Sequence, residues 1–393
     1  MTRSTAIAIC LGVVAGFVGS CLMGRHAAQK NAYKNFLRLH PFLEQETSYF
    51  PTSSQLAATT RLQCPPDAGK ILVILGGNSV FNGSGQKTPE LWSRVLQNDL
   101  GAGYHVINFS APGAGPADTG AIVFQMVARD YPRSILVTNT EPGRYAPPES
   151  SAYSYLFWDA YYKGLVPTDA RREARLTNEQ ETPGARESRL GLRLNSKLLF
   201  NDLWTFVSYR YVSTLWTSWL KERSFRPRGK LPDWYDKRPP VLANEKAFQE
   251  MLPGHLDALR HRKALLADRF TLNPDGKWMQ TDESLQQDAA QIADLLPDSL
   301  QQRSLVVFTP YNPWFLARLT DAERSRVELS FANGTQLMEK AGFHVLSTFD
   351  RGFVSEDFGD TVHLSPAGGR LLAHLVAESV RALNSEVNST VRR

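Results

Sequence analysis

The sequence predicts an α/β fold, a doubly wound parallel sheet carrying a mostly helical insertion. Three observations point there. Short continuous apolar runs recur with loop residues directly after them, the pattern of strands buried on both faces. Between the first runs, apolar residues recur at helical spacing. This alternation stops near residue 145 and resumes near residue 303. Strand, helix, strand, helix, strand at these intervals argues for crossovers within one sheet.

The elements follow in chain order. Ala6 to Met23, AIAICLGVVAGFVGSCLM, is 18 residues without a charge, between Arg3 and Gly24-Arg25. Its length suits a signal anchor. A cleaved signal peptide and a lipoprotein signal, with Cys21 ending a lipobox-like Val18-Gly19-Ser20-Cys21, are the alternatives. The expectation is a membrane anchor through residues 6–23, in a segment covering 1–26. Arg25, Lys30, Lys34 and Arg38 follow it, which by charge alone would keep the body in the cytoplasm. The chemistry argued below places the body on the extracytoplasmic side instead. Residues 27–67 read as a juxtamembrane segment, with a helix over about 30–42 and a loop ending at Pro65-Pro66.

Lys70 to Leu75, KILVIL, reads as the first strand. Pro89 to Leu100 reads as a helix, with Leu91, Trp92, Val95, Leu96 and Leu100 along one face. His105 to Asn108 is the second strand, followed by the loop Ala111–Pro116. Asp118 to Arg129 is a helix and Ser134 to Thr138 the third strand. The stretch 146–302 has aromatic-rich segments at Tyr153–Tyr162 and Leu198–Leu220 and reads as the helical insertion. The sheet resumes with Ser304–Thr309, a helix over about 320–341, a strand Gly342–Leu346 that includes His344, and a closing helix Pro366–Leu383. Residues 384–393 are left as a tail.

Composition excludes several classes. Hydrophobic residues are 42% and charged residues 21%, a globular balance, in a chain of 393 residues that can bury a core without staples. Three cysteines rule out a disulfide-dense scaffold and a multi-cysteine zinc site. The net charge of +5 is dispersed, with no like-charge run, so no nucleic-acid partner is expected. The eight histidines form no HExxH pattern, and no metal or cofactor is expected.

Ligands of open α/β sheets bind at the carboxyl ends of the strands. After the first strand comes Gly76-Gly77-Asn78-Ser79, a turn that can expose a serine hydroxyl beside helix-directed amides. After the second comes Asn108-Phe109-Ser110-Ala111-Pro112-Gly113. Before the closing helix stands Asp360-Thr361-Val362-His363. Asp and His three apart let a carboxylate orient an imidazole, which can then take the proton of a serine. A phosphate-binding or dinucleotide loop is the poorer reading of the glycines: the GKS/T lysine and the G-x-G-x-x-G spacing are both missing.

Taken together, these pieces resemble the SGNH (GDSL-like) hydrolases. KILVILGGNSVFNGSGQ followed by VINFSAPGAG is similar to that family's first two motifs, and DTVHLSPAGGRLL to its final Asp-x-x-His motif. The likeness covers residues 68–145 and 303–383. It implies a flavodoxin-like three-layer sandwich and a serine esterase or acyltransferase. Ser79 would be the nucleophile, His363 the general base and Asp360 its orienting carboxylate. The backbone amides of Ser79 and Gly113, with Asn139, would line the oxyanion hole. Asn78 departs from the family, which has Asp or a small residue before its serine. The family's Gly-x-Asn loop is not clear in Val137–Arg144, where Glu141 or Arg144 are the other candidates to line the site.

A membrane-anchored chain with a large aromatic insertion is also similar, in architecture alone, to the alginate-type O-acetyltransferases and the D-alanyl-lipoteichoic acid transfer proteins. The expected substrate is an acyl ester or an acylated polysaccharide of the cell envelope. Trp204, Tyr209, Tyr211, Trp216 and Trp219, near Lys221, Arg223, Arg226 and Arg228, read first as a helical lid, then as a headgroup-resting or sugar-stacking surface. Phe308–Trp314, FTPYNPW, reads as a Pro-stiffened loop, or one wall of the site. The alternative function is a non-catalytic carbohydrate-binding or scaffold protein using the same cleft. Geometry separates the two, since an enzyme needs Ser79 Oγ within hydrogen-bond reach of His363.

Overall fold

The computed structural model describes residues 2–28, 36–39, 42–44, 47–48, 52–142, 148, 153–167, 292 and 294–391. The chain divides into two compact units, Met1–Phe36, His40–Pro65 and Ala170–Pro232 forming one, and Leu37–Leu39, Pro66–Asp169 and Asp233–Arg393 the other. In chain order the elements used below are α1 (Arg3–Ala28), β1 (Phe42–Glu44), β2 (Thr47–Ser48), α2 (Ser53–Gln63), β3 (Ile71–Leu75), α3 (Ser79–Asn82), α4 (Trp92–Leu100), β4 (Tyr104–Asn108), α5 (Thr119–Val127), β5 (Ile135–Thr140), α6 (Ser154–Tyr162), α7 (Asp298–Gln301), β6 (Ser304–Phe308), α8 (Pro313–Leu316), α9 (Asp321–Lys340), β7 (His344–Ser347) and α10 (Pro366–Val391).

In the first unit, α1 contains the whole apolar run. Its Ile7, Ile9, Leu11, Val13, Val14, Val18 and Leu22 are exposed. Among the described residues, no helix is long and apolar enough to cross a membrane; the anchor at 6–23 is therefore a reading of the sequence, which is uncharged throughout that run. The helix expected over about 30–42 is not seen where that stretch is described. Residues 36–39 are non-helical, and Phe42–Glu44 is a strand paired antiparallel with β2. The helix of this segment is α2, in the part expected to be loop. Thr52 caps it by accepting from Gln55 N–H, and Gln55 Oε1 accepts from Thr52 N–H in return. That reciprocal pair is a helix-start signal that a purely apolar reading passes over.

The second unit is built on a five-stranded parallel sheet of order β4-β3-β5-β6-β7. The α/β expectation holds. β3 is buried along its whole length, as a continuous apolar run requires, and β5 is buried throughout as well, its polar second half Thr138–Thr140 included. Side chains alternate faces along each strand. Ile71, Val73, Leu75, Ile135, Val137, Leu305 and Val307 face a layer in which Trp92 and Leu96 of α4 meet Leu372, Ala373, Val376 and Val380 of α10. Helices α5 and α9 pack on the sheet as well, α5 on β3 and β5, α9 on β6 and β7. α9 opens with a capping box between Thr320 and Glu323.

Three boundaries differ from expectation in ways that matter. β5 runs on to Thr140, so Asn139 lies within a strand paired to Val307 and not in the loop after it. α10 continues to Val391, so most of the expected tail 384–393 is helix. The helix expected from Pro89 begins at Trp92, after a 3-10 turn over Thr88–Glu90. Of the helical insertion expected over 146–302, α6 and α7 are seen, and α6 buries Leu156, Phe157 and Ala160 and contacts α5. The aromatic stretch Leu198–Leu220 and the basic residues after it lie outside the described residues.

Sheet order reverses direction at β3, with β4 on one side and the later strands on the other. Such a reversal opens a crevice beyond the carboxyl ends of the two strands that flank it. Here these are β3 and β5, and the residues after them are Gly76–Ser79 and Glu141.

Candidate active site

The turn after β3 is held in place by the end of β5. Gly76 N–H donates to Val137 O at 2.8 Å. Asn78 N–H donates to Asn139 Oδ1 and Asn139 Nδ2 donates back to Asn78 Oδ1, both at 2.8 Å. Asn78 Oδ1 also accepts from Val80 N–H at 2.9 Å and so caps α3. This clasp leaves no room at Gly77, where φ is +101° and an added Cβ would overlap Asn139 Oδ1. Ser79 is thereby placed as the first residue of α3, beyond the strand end.

The loop after β4 runs alongside. Phe109 N–H donates to Leu75 O and Ala111 N–H to Gly77 O, both at 2.9 Å. Ser110 Oγ donates to Gly76 O at 2.8 Å, and Asn108 Nδ2 to Phe81 O at 2.9 Å. Gly113, at φ +78°, is exposed at the tip. Among the described residues, the backbone N–H groups of Ser79 and Gly113 have no hydrogen-bond partner. They are donors open to an added acceptor.

The third piece is the loop before α10. His363 Nε2 lies 2.8 Å from Ser79 Oγ, and His363 Nδ1 lies 2.6 Å from Asp360 Oδ2. The second carboxylate oxygen, Oδ1, accepts the backbone N–H of Val362 at 2.9 Å and of His363 at 2.7 Å. Gly359 N–H donates to His363 O at 2.7 Å and closes the loop. From the loop after β6, Asn312 N–H donates to Thr361 O at 2.9 Å and Asn312 Nδ2 to Asp360 O at 3.0 Å. The loop Phe308–Trp314 is thus a brace for the Asp360 segment, and Asn312 is the residue that makes it one.

Burial acts to raise the pKa of Asp360, but the hydrogen bond and charge of His363, with the two backbone N–H groups, outweigh it and hold the carboxyl at about 2. The ordinary value is 3.8. A carboxyl lowered in the folded state stabilises the fold above its unfolded pKa and loses that contribution as pH falls through the folded one. Ionised Asp360 should therefore contribute up to about 2 kcal/mol at neutral pH, vanishing near pH ~2. Urea unfolding of wild type and Asp360→Asn checks this. The gap in stability should narrow as pH falls from ~6 to ~2.5, and a gap independent of pH would contradict the assignment.

The structure brings together Ser79, His363 and Asp360, from opposite ends of the sequence, in one hydrogen-bonded row. Asn139 joins the same site through Asn78, and Gly113 stands on the adjoining loop. Glu141 is buried and accepts from Tyr311 Oη at 3.2 Å; Arg144 lies outside the described residues. Sequence reasoning missed the bracing by Asn312, whose partners are the backbone carbonyls of Asp360 and Thr361. It also treated Asn78 as a departure, where the amide serves as both cap and clasp. Chemically, the row can move a proton from the serine hydroxyl to the imidazole while the carboxylate stabilises the resulting cation. Compared with known protein families and with curated proteins, the chain matches none.

Proposed function

We propose that the protein is a serine esterase or O-acyltransferase of the SGNH type, acting on acyl esters of cell-envelope glycans. The observation that carries this reading is the unbroken row from Ser79 Oγ through His363, at 2.8 Å, to Asp360, at 2.6 Å. Its position at the reversal of strand order, in a sheet ordered as in flavodoxin-like folds, supports the same reading.

In this reading Ser79 Oγ attacks the ester carbonyl while His363 Nε2 takes its proton. The tetrahedral oxygen accepts from the open N–H groups of Ser79 and Gly113, with the second Nδ2 hydrogen of Asn139 as third donor. Collapse expels the alcohol, which leaves with the proton held by His363, and an acyl group remains on Ser79. Water or a glycan hydroxyl, deprotonated by His363, then takes the acyl group and frees the serine. Asp360 stays ionised throughout and keeps the imidazole in the tautomer with its proton on Nδ1. The uncharged run 6–23 would anchor the enzyme in a membrane with its body on the extracytoplasmic side, where acylated polymers are found.

A fluorophosphonate probe tests the reading on the full chain in detergent, beside Ser79→Ala. Wild type should label and the variant should not. If wild type neither labels nor releases acid from a panel of acyl esters, the enzyme reading fails and the cleft is better treated as a binding site.

A further inference from the structure

We propose that Arg38 and Leu39, which precede the α/β domain in sequence, are a strut of the active site. In this role Arg38 and Gln86 are positioning residues for His363. The inference rests on acylation at Ser79, and its test separates the two.

Arg38 is 2% exposed, rare for a guanidinium. Its Nη1 donates to Gly83 O at 2.9 Å and to Gln86 O at 3.1 Å. Gly83 caps the carboxyl end of α3, the helix that begins with Ser79. The turn 83–86 is closed by Gln86 N–H donating to Gly83 O at 3.0 Å, and the guanidinium ties the carbonyls at its two ends together from outside. The next residue joins in. Leu39 O accepts from Asn82 Nδ2 at 2.9 Å, and the same amide donates to Ser110 O at 2.7 Å. Two consecutive residues thus hold the far end of α3 and, through Asn82, the loop after β4.

The turn that Arg38 grips reaches the histidine. Gln86 is buried, its Oε1 accepting from Trp92 N–H at 2.9 Å. Its Nε2 points the other way, to Ser365 O at 3.2 Å and Leu364 O at 3.4 Å. Those are the two residues after His363. α10 makes space for this contact with Gly369, where an added Cβ would overlap Gln86 Nε2. The chain of contacts therefore runs from Arg38 to the backbone of Gln86, through its side chain, to the segment that carries the imidazole. Ser79 and His363 are 284 residues apart in sequence, and this is a direct link between their two segments besides the reacting hydrogen bond.

A burial this complete has a mechanistic consequence. Removing the guanidinium takes this donor from both Gly83 O and Gln86 O and leaves the turn free to shift as a unit. A shift of about 1 Å between nucleophile and base costs on the order of 10²-fold in rate. Substrate binding is expected to be unchanged, because the bonds of Arg38 and Gln86 go to Gly83, Leu364, Ser365, Trp92 and each other.

The test measures the second-order rate of fluorophosphonate labelling in the full chain, with melting temperature recorded for each protein. The variants are Arg38→Ala and Gln86→Met, the second isosteric but without hydrogen bonds. Both are expected to label roughly 10- to 100-fold more slowly while still folded. Methylguanidinium added to Arg38→Ala should recover most of the rate and leave wild type and Gln86→Met unchanged. A side chain that serves stability alone would lower the melting temperature without slowing the folded protein. Folded Arg38→Ala or Gln86→Met labelling within twofold of wild type overturns the strut, as does Arg38→Ala that methylguanidinium fails to speed. If Arg38→Ala does not fold, Gln86→Met decides alone. Wild type that does not label overturns the acylation reading, and this one with it.

Discussion

Asp360→Asn should slow acylation of Ser79 by roughly three to four orders of magnitude while leaving the protein folded. The reason lies in which atom holds the imidazole proton. In wild type, Asp360 Oδ2 can only accept, so His363 keeps its proton on Nδ1 and presents a bare Nε2 to Ser79 Oγ. An asparagine would retain Oδ1 as acceptor for the N–H groups of Val362 and His363. It would place an NH₂ group against Nδ1. The imidazole would then carry its proton on Nε2 and could no longer take the serine's. The loop geometry survives, the tautomer does not. Pre-steady-state labelling or release of an activated ester's alcohol would show the loss. A variant within tenfold of wild type would mean that the carboxylate is not orienting the histidine during reaction. Because Asp360 remains ionised down to a pKa of about 2, any acid limb seen above pH ~4 belongs to another group.

Gly120→Ala should be strongly destabilising. Gly120 lies in the first turn of α5, against the last residues of β3. A Cβ there would overlap Gly76 Cα, lie 2.5 Å from Leu75 O and 2.8 Å from Gly76 N. All three are backbone atoms, so no rotamer change relieves the clash, and helix and strand must move apart. Overpacking of this kind costs on the order of 3 kcal/mol or more, equivalent to a fall in melting temperature of roughly 6–12 °C for a domain of this size. The displaced strand end is the one carrying Ser79, so the surviving folded protein should also label more slowly. Thermal unfolding checks the first effect and the labelling rate the second. A change of less than about 1 kcal/mol would show that α5 does not seat on the strand as closely as described.

Read from residues alone, the chain already declared its α/β class, the five sheet strands to within a few residues, and Ser79, Asp360 and His363 as candidates. These features are legible because they are local. A buried strand shows as one apolar run, a helix as one periodicity, and an Asp-x-x-His loop keeps its carboxylate and imidazole together whatever lies around it. The bracing was not legible. Asn139 meets Asn78 only because β3 and β5 are neighbours, with Leu75 beside Val137. Asn312 reaches Asp360, and Arg38 reaches Gly83 and Gln86, by bonding to backbone carbonyls, which every residue carries and which therefore leave no mark on the sequence. Strand order and sheet register decide which carbonyls come within reach. Sequence thus determined which side chains could react, and tertiary structure alone decided what holds them a hydrogen bond apart.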